Sequence, residues 1–364
     1  MEHALNISGN PSSVHSRGRA ARSIVEEARE EIAGLMRARP GNVVFTGSGT
    51  EANFLALQGA VLGAADMGAP IGRLCVSAIE HDSIRNAAKD IGERHPEIRF
   101  ALIPVSRGGV VDIDALRSLP GKGEGSLVAV MAANNETGVV QPVAEIVERV
   151  HATGGRCVVD AVQACGKIAT GFVASGADYM TISAHKIGGP HGVGALIVRD
   201  DAPFAAIIRG GGQESNRRAG TENVAGIAGF GAAAKSCAAD DIDRQTELRD
   251  RFEEGLRQRF ADVVIFGADA PRLANTSCFA LPGIAAETAL IALDLDGVMV
   301  SSGAACSSGK VRPSHVLEAM GVSSDLARSA LRVSLGWNSV EADIDAALAS
   351  LEKLAARIVA RRAA

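Results

Sequence analysis

The segment DYMTISAHK at residues 178–186 decides how the rest of this chain is interpreted. Residues 178–182 have the apolar pattern of a short buried strand, and IGGP at residues 187–190 is typical of the loop that leaves it. Lys186 is therefore expected at the mouth of a buried strand, where an unpaired charge is costly. Most lysines are simply solvated, but a neutral lysine amine in this position can form a Schiff base with a carbonyl cofactor.

A second strand end favours the chemical interpretation of Lys186. The segment RCVVD at residues 156–160 is another apolar run that ends in a carboxylate, Asp160, and Gln163 follows three residues later. An aspartate that pairs with a protonated pyridine nitrogen and a lysine that holds an aldehyde are the minimum that a protein contributes to pyridoxal phosphate (PLP) chemistry. Asp160 and Lys186 together therefore indicate a PLP site.

Composition restricts the class of protein. The chain has 364 residues, of which 47% are hydrophobic, and 41 glycines, as expected of a two-domain α/β enzyme. One Trp, one Tyr and a formal net charge of −5 argue against nucleic-acid binding. The sequence shows neither a membrane-spanning apolar run nor a signal-peptide pattern, so a cytoplasmic protein is expected. Its six cysteines include no C-x-x-C pair, so no zinc site or disulfide framework is predicted.

A glycine-rich turn after the first predicted strand is typical of a phosphate site. The strand NVVFT at residues 42–46 runs into GSGTEAN at residues 47–53, where a helix begins. Amides at a helix N-terminus, helped by the hydroxyls of Ser48 or Thr50, can hold an anion. Such turns also serve as ordinary helix caps, so this one alone is a weak indication.

Polar residues follow several predicted strands. The α/β alternation continues through further apolar runs near 73–78, 99–105, 126–132 and 194–199. Parallel strands present their carboxyl ends at one edge of a sheet, and ligands of open α/β sheets bind there. Any one of these polar residues is better explained as a turn or cap residue. Five of them together predict a binding site: Thr50, His81, Asn135, Asp160 and Lys186.

The acidic pair at residues 240–241 marks the predicted domain boundary. Residues 1–240 are expected to form a large PLP-binding α/β domain with a central, mostly parallel sheet, and residues 241–364 a smaller α+β domain. Strands of the second domain are predicted near 263–266, 275–280, 298–301 and 329–334.

Two residues of the second domain are candidates for catalysis or substrate binding. SSGAACSSGK at residues 301–310 is a small-residue loop that carries Cys306, with Lys310 available to stabilise a thiolate. Arg332 lies in a short apolar run, where a guanidinium needs a carboxylate partner. That partner could be a protein side chain or the carboxylate of an amino-acid substrate.

Taken together, these motifs closely resemble those of the cysteine desulfurases of the NifS/IscS type, in the class V aminotransferase group of fold type I PLP enzymes. The resemblance runs from Gly9 to about residue 350 and rests on ordered motifs: GNPSSVH, GSGTEAN, EH at 80–81, NNETGVVQP, VDAVQ, SAHKIGGPHGVGAL, RRAGTEN, SSGAACSSG and LRVSLG. It implies an aspartate aminotransferase-like fold and a transferase that converts L-cysteine to L-alanine. It also implies that the sulfur goes to an iron–sulfur cluster scaffold or another acceptor protein.

The resemblance implies a role for each residue of the cofactor site. Lys186 is expected to form the Schiff base, Asp160 to pair with the pyridine nitrogen, and Gln163 to hydrogen-bond the phenolic oxygen. His81 is expected to stack on the cofactor ring and to transfer protons. The expected phosphate ligands are Gly49, Thr50, Ser183, His185 and, from the other subunit of a homodimer, Thr221.

The resemblance also implies that Asn135 and Arg332 bind the substrate carboxylate and that Cys306, in the second domain, accepts the sulfur as a persulfide. One part of the family pattern is missing, because relatives begin with a further couple of dozen residues that help to close the substrate site. Two alternatives therefore stay open. One is another PLP enzyme of this fold, such as a selenocysteine lyase or an aminotransferase. The other is a PLP-binding but poorly active partner protein.

Overall fold

The structure is a computed structural model that describes residues 1–118, 125–169, 171–237, 240–303 and 314–363. The chain divides into two compact units. The first contains residues 1–103, 112–132 and 142–237, and the second contains residues 104–111, 133–141 and 238–364. Two short segments ahead of residue 240 thus belong to the second unit, and the simple boundary proposed at residue 240 stays a prediction.

The first unit is built on a seven-stranded sheet. Its strands are β1 (Val43–Thr46), β2 (Ile71–Ser77), β3 (Arg99–Ile103), β4 (Gly125–Met131), β5 (Arg156–Asp160), β6 (Tyr179–Ser183) and β7 (Gly194–Val198). Their order is β1-β7-β6-β5-β4-β2-β3. All neighbours from β6 to β3 pair in parallel, whereas β7 is antiparallel to both β6 and β1. The central strands are buried, which explains why they are continuous apolar runs in the sequence.

Helices of the first unit connect these strands. They are α1 (Glu2–Leu5), α2 (Ser16–Met36), α3 (Gly49–Asp66), α4 (Asp82–Arg94), α5 (Val143–Ala152), α6 (Phe172–Ser175) and α7 (Val224–Lys235). α3 and α4 contribute apolar side chains to a core that they share with the sheet. α2 packs closely on α7. A Cβ at Gly231 of α7 would lie only 2.7 Å from the Cα of Ala28 in α2, so glycine at this position allows the close approach.

The second unit has a four-stranded antiparallel sheet. Its strands are β8 (Val264–Ile265), β9 (Thr276–Ala280), β10 (Ser301–Ser302) and β11 (Ala330–Ser334), in the order β10-β11-β9-β8. Its helices are α8 (Asp240–Arg259), α9 (Ala286–Leu295), α10 (His315–Ala319), α11 (Ser324–Ala327) and α12 (Glu341–Ala363). The strand predicted at 298–301 is displaced, because Val298 and Val300 pack against the core and pairing begins only at Ser301.

Backbone hydrogen bonds explain why the two short segments belong to the second unit. The amide of Leu273 donates to the carbonyl of Gly138 at 2.8 Å, and the amide of Val140 donates to the carbonyl of Pro271 at 2.8 Å. The side chain of Gln141 accepts from the amide of Val111 and donates to the carbonyl of Gly109, both at 2.8 Å. Contacts of such long sequence separation leave no periodic pattern in the sequence. None of the described helices has the length and apolar character needed to cross a bilayer.

Candidate active site

Four of the predicted site residues lie at one edge of the first unit's sheet. Thr50 follows β1 in the first turn of α3, and His81 follows β2 as the N-cap of α4. Asp160 ends β5, and Lys186 lies half-buried in the short 3₁₀ turn Ala184–Ile187 after β6. Because these four strands run in the same direction, their carboxyl ends share an edge. Asn135, the fifth residue predicted at this edge, belongs to the second unit.

The turn before α3 forms a narrow cradle. Ser48 caps the helix by accepting from the amide of Glu51 at 3.1 Å. A Cβ at Gly49 would lie 3.0 Å from Val162 Cγ2 and 3.2 Å from Ser183 Cβ, so only glycine fits here without displacing its neighbours. The N-terminus of an 18-residue helix thus opens beside Ser183, and its free amides favour an anion.

Ser183 and His185 form a polar pair after β6. The Ser183 hydroxyl and His185 Nδ1 are 2.9 Å apart, and the rings of His185 and His191 stack with centroids 5.2 Å apart. Desolvation of the ring lowers the pKa of His185, and the positive charge of Lys186 lowers it further. The imidazole is therefore neutral at neutral pH, and a bound phosphate dianion would favour its protonated form.

Asp160 is held by two hydrogen bonds. The amide of Val162 donates to Oδ1 at 2.9 Å, and Asn53 Nδ2 donates to Oδ2 at 2.8 Å. Burial raises the pKa of Asp160, and these donors together with His81 partly offset that rise. A cation placed beside this buried carboxylate would stabilise its charged form, which is what a protonated pyridine nitrogen requires.

Asn53 is a site residue for which the sequence analysis predicts no role. It is 1% exposed, and its Oδ1 accepts from Thr181 Oγ1 at 2.5 Å while its Nδ2 donates to Asp160. The sequence does contain a signal, because an amide in the first turns of an otherwise apolar helix must find buried partners. Which partners it finds depends on β5 and β6, far away in the chain.

His81 is fixed through the helix that it caps. Its Nδ1 accepts from the amide of Ser83 at 3.1 Å and lies 2.8 Å from the Ser83 hydroxyl. Since a backbone amide donates to Nδ1, the proton of the neutral ring is on Nε2. Asn53 Nδ2 also donates to Ser83 Oγ at 2.9 Å, so Ser83 and Asn53 link His81 to Asp160.

Glu80 is a second buried acid next to this network. It is fully buried, and its Oε1 accepts from the amide of Met131 at 2.7 Å. Burial and the negative charge of Asp160 raise the pKa of Glu80 well above its ordinary range. The pKa of Glu80 is raised further than that of Asp160, so Asp160 is the acid of this pair that ionises first.

We expect Glu80→Gln to change how stability depends on pH. In the unfolded chain a glutamate titrates near about 4.3. The folded wild type keeps a proton above that pH, so its free energy of unfolding falls as pH rises toward the folded-state pKa. The substituted glutamine has no proton to lose and still offers an oxygen to the amide of Met131.

The free energy of unfolding of the variant should therefore rise relative to that of the wild type as pH increases, by at most about 1.4 kcal/mol per pH unit. Urea unfolding of the cofactor-free proteins between about pH 5 and 8 measures this gain. A difference that stays constant across that range would mean that Glu80 is not protonated in the folded state.

Gln163 and Thr221 lie at less buried positions. Gln163 is half-buried, and its Oε1 accepts from Lys167 Nζ at 3.2 Å. Thr221 is exposed, and the preceding Arg218 pairs with Glu51 of α3, with Nε 2.8 Å from Oε1. The contacts that the sequence analysis expects of Gln163 and Thr221 stay predictions.

In the second unit, Arg332 hydrogen-bonds to the backbone of Asn135, and the substrate contacts expected of both residues stay predictions. Arg332 Nη1 donates to the backbone carbonyl of Asn135 at 2.7 Å, and Nη2 donates to Ser301 Oγ at 3.2 Å. Its Nε is buried and has no hydrogen-bond acceptor within the described part of the chain. The guanidinium therefore retains donor capacity for an anion.

A tight turn orients Asn135. Asn134 Oδ1 accepts from the amides of Glu136 and Thr137, both at 2.9 Å, and Gly138 closes the turn at a φ of 74°. A Cβ at Gly138 would lie 3.0 Å from Thr276 Cβ, so the turn also packs closely on β9. Cys306, the predicted sulfur acceptor, lies outside the described residues.

The first-unit residues fit the group that the sequence predicts. A glycine-only cradle at a helix N-terminus suits a phosphate, and the buried Asp160 suits a protonated ring nitrogen. Lys186 follows the neighbouring strand and can reach an aldehyde at the same edge of the sheet. These are the donors and charges that PLP needs.

Comparison with known proteins shows similarity in sequence and in structure over nearly the whole chain. The family described as aminotransferase class-V matches residues 1–347. The chain is 41% identical to the IscS-like cysteine desulfurase of Mycobacterium tuberculosis, over 98% of this chain and 91% of that protein. It is 39% identical to the cysteine desulfurase IscS of Dictyoglomus turgidum, over 95% and 87%. The X-ray structure of a NifS-like protein from Rickettsia africae matches with a TM-score of 0.86 at 33% identity, covering 97% of this chain and 94% of that one.

The chain belongs to the class-V aminotransferase family. The family and the fold class that the motifs predict are thereby confirmed. The matched relatives in Mycobacterium tuberculosis and Dictyoglomus turgidum are both named cysteine desulfurases.

Proposed function

We propose that this protein is a PLP-dependent cysteine desulfurase, which converts L-cysteine to L-alanine and transfers the sulfur to Cys306. The observation that carries the proposal is the buried Asp160 at the sheet edge that also carries the Gly49 cradle and Lys186. The full-length similarity to enzymes named cysteine desulfurases supports the choice of substrate.

Each site residue of the first unit has a distinct role in this proposal. The amides at the start of α3, with Thr50, Ser183 and His185, hold the phosphate, while Asp160 keeps the ring nitrogen protonated. PLP, when bound, supplies the electron sink that makes the α-proton of cysteine acidic. Lys186 holds the cofactor covalently and exchanges protons with the substrate. His81 presents its Nε2 proton to the same edge, since Nδ1 is engaged by Ser83.

The second unit binds the substrate in this proposal. Arg332 is already oriented by the Asn135 carbonyl and by Ser301, so little side-chain entropy is lost when it binds a carboxylate. Its buried Nε adds a donor for that anion. The side-chain amide of Asn135 supplies a further polar contact at the same place.

Cys306 is the sulfur acceptor because the other cysteines are poor thiolates. Burial raises the pKa of every cysteine in the described part of the chain, to about 12 for Cys165 and well above the ordinary value for Cys157. A thiolate is the nucleophile in sulfur chemistry. Attack of the Cys306 thiolate on the substrate sulfur forms an S–S bond and breaks the Cβ–S bond. The products are alanine and a persulfide on Cys306.

Product analysis tests this function against its alternatives. With L-cysteine and a thiol reductant, the protein should release alanine and sulfide in equal amounts. Pyruvate and ammonia instead of alanine would indicate a β-eliminating PLP enzyme, and a keto acid formed with an amino acceptor would indicate an aminotransferase. Turnover of selenocysteine but not of cysteine would favour a selenocysteine lyase. The absence of any turnover in a protein that binds PLP would favour the poorly active partner protein.

Arg332→Gln should weaken substrate binding. A charge-assisted contact to a carboxylate is lost, so we expect KM for L-cysteine to rise about 10- to 100-fold. PLP binding should be unaffected, because the cofactor residues belong to the first unit. Arg328→Gln is the control, since Arg328 is exposed and pairs only loosely with Asp325 at 3.5 Å. An unchanged KM in Arg332→Gln would exclude Arg332 as the carboxylate ligand.

We also propose that the enzyme is a two-fold homodimer, the commonest closed symmetry, in which Thr221 reaches the phosphate of the other subunit. Thr221 is exposed at the end of a glycine-rich segment, as such a contact requires.

In the last step of the proposed function, the sulfur passes from Cys306 to an iron–sulfur cluster scaffold or another acceptor protein.

A further inference from the structure

The turn Gln213–Asn216 has an unusual backbone. Glu214, Ser215 and Asn216 have φ values of 48°, 56° and 63°, so three consecutive residues with side chains adopt the left-handed conformation. Within the described ranges, Arg37 is the one other non-glycine residue with a positive φ. Such a run is unfavourable for L-amino acids and persists only where surrounding contacts hold it.

Contacts of the Glu214 side chain hold this turn. Its carboxylate is 2% exposed and accepts from Arg29 of α2 through both oxygens, at 2.8 and 2.9 Å. The amide of Phe45 in β1 also donates to Oε2 at 2.9 Å. Burial alone would lower the pKa of Arg29, but the hydrogen bonds and charge of Glu214 outweigh it and raise that pKa. The Arg29 guanidinium therefore keeps its positive charge beside Glu214.

The residues after the turn reach the phosphate cradle. Arg217 Nη2 donates to the carbonyl of Gly41 at 2.8 Å, just ahead of β1. Arg218 Nε donates to Glu51 Oε1 at 2.8 Å, and Glu51 Oε2 accepts from the amide of Gly47. Thr221 follows three residues later and is exposed. Residues 217–221, here called the threonine segment, thus begin at the strained turn and contact the chain at both ends of β1, through Gly41 before the strand and through Glu51 beside the cradle.

We propose that Glu214 and Arg29 are positioning residues for Thr221. The buried ion pair holds the left-handed turn, and the turn fixes where the threonine segment places Thr221 for binding the cofactor phosphate of the other subunit in the proposed homodimer. This inference rests on the proposed PLP-dependent function and adds two residues, on α2 and in the turn, to the parts of the chain that determine cofactor affinity.

A purely structural role is the alternative, and the chain offers a matched control for it. In the second unit, Glu253 and Arg272 form a similarly buried bidentate pair, with oxygen–nitrogen distances of 2.5 and 2.9 Å and side chains 3% and 7% exposed. Glu253→Gln should lower thermal stability as Glu214→Gln does. It should leave PLP affinity unchanged, because its pair holds no part of the threonine segment.

The test is a set of PLP titrations of cofactor-free protein, followed by visible absorbance. Glu214→Gln should weaken PLP binding about tenfold or more, as expected when a well-placed hydrogen bond to a charged phosphate is lost. Thr221→Ala should weaken it similarly, and the double variant should be no weaker than Thr221→Ala alone, since both changes remove one contact. Ser215→Gly should recover part of the affinity in the Glu214→Gln background, because glycine adopts a positive φ without steric cost.

Hydrogen exchange supplies a readout that does not depend on the cofactor. In cofactor-free Glu214→Gln, the amides of residues 214–221 should exchange faster than in the wild type, whereas in Glu253→Gln they should not. Unchanged exchange in Glu214→Gln, wild-type PLP affinity in that variant, or additive losses in the double variant would each overturn the inference. If the wild type binds no PLP, the proposed function fails, and the exchange rates still decide whether Glu214 holds the threonine segment.

Discussion

Cys306→Ser should still bind PLP and L-cysteine but release almost no alanine or sulfide. The spectral change on adding L-cysteine depends on the cofactor and on Lys186, which also exchanges protons with the substrate. Both are intact in the variant. Sulfur transfer requires a thiolate, and a serine hydroxyl is hardly ionised near neutral pH. Loss of the nucleophile should lower the turnover number by at least about a thousandfold.

Cys237→Ser is the matched control for this experiment. Cys237 is half-buried, and burial raises the pKa of its thiol, so it is a poor nucleophile despite its partial exposure. This variant should turn over at the wild-type rate. If Cys306→Ser also produced alanine and sulfide at that rate, the acceptor role of Cys306 would be wrong, and another group would have to accept the sulfur.

Lys186→Ala should abolish both the covalent attachment of PLP and the activity. The alanine side chain has no amine to hold the aldehyde or to exchange protons with the substrate, so the activity should fall by at least about a thousandfold. Borohydride reduction followed by peptide mapping measures the attachment. In the wild type, the cofactor should be found on the peptide that contains Lys186.

Lys167→Ala is the control for Lys186. Lys167 lies close to the same network and donates to Gln163 Oε1 at 3.2 Å, but it follows no strand end of the sheet edge. In this variant, PLP should still be attached to Lys186 through a link that borohydride reduces. Cofactor found on Lys167, or on any lysine other than Lys186, would show that the strand-end argument selects the wrong residue.

The strands and the sheet edge could be predicted because their signal is local. Parallel strands that are buried on both faces are continuous apolar runs, and the residues just after them lie where ligands bind. Asp160 ends β5 and Lys186 follows β6, as the sequence predicts. The glycine-rich turn between β1 and α3 predicts the cradle at Gly49 only weakly, since an ordinary helix cap has the same sequence signal.

The buried polar network could not be predicted from the sequence. Asn53 binds Asp160 and Thr181, which are separated from it by more than a hundred residues, and local periodicity contains no information about such partners. Glu80 illustrates the same limit. The motif at residues 80–81 predicts a role for His81, yet the raised pKa of Glu80 follows only from its burial beside Asp160.

The strained turn shows a different limit. Glycine-rich sequence at residues 210–212 suggests a close backbone approach somewhere in this segment. The left-handed residues are instead Glu214, Ser215 and Asn216, which carry side chains and would be assigned ordinary backbone angles from sequence. Tertiary contacts of the Glu214 side chain with Arg29 and with the amide of Phe45 hold this conformation.

The most direct test of the account is the location of the transferred sulfur. Wild-type protein is incubated with L-cysteine without reductant, digested under non-reducing conditions and analysed by mass spectrometry. We expect one additional sulfur atom on the peptide that contains Cys306, and none on that peptide in Lys186→Ala. Alanine formation with no additional sulfur on Cys306, or with the sulfur on another cysteine, would contradict it.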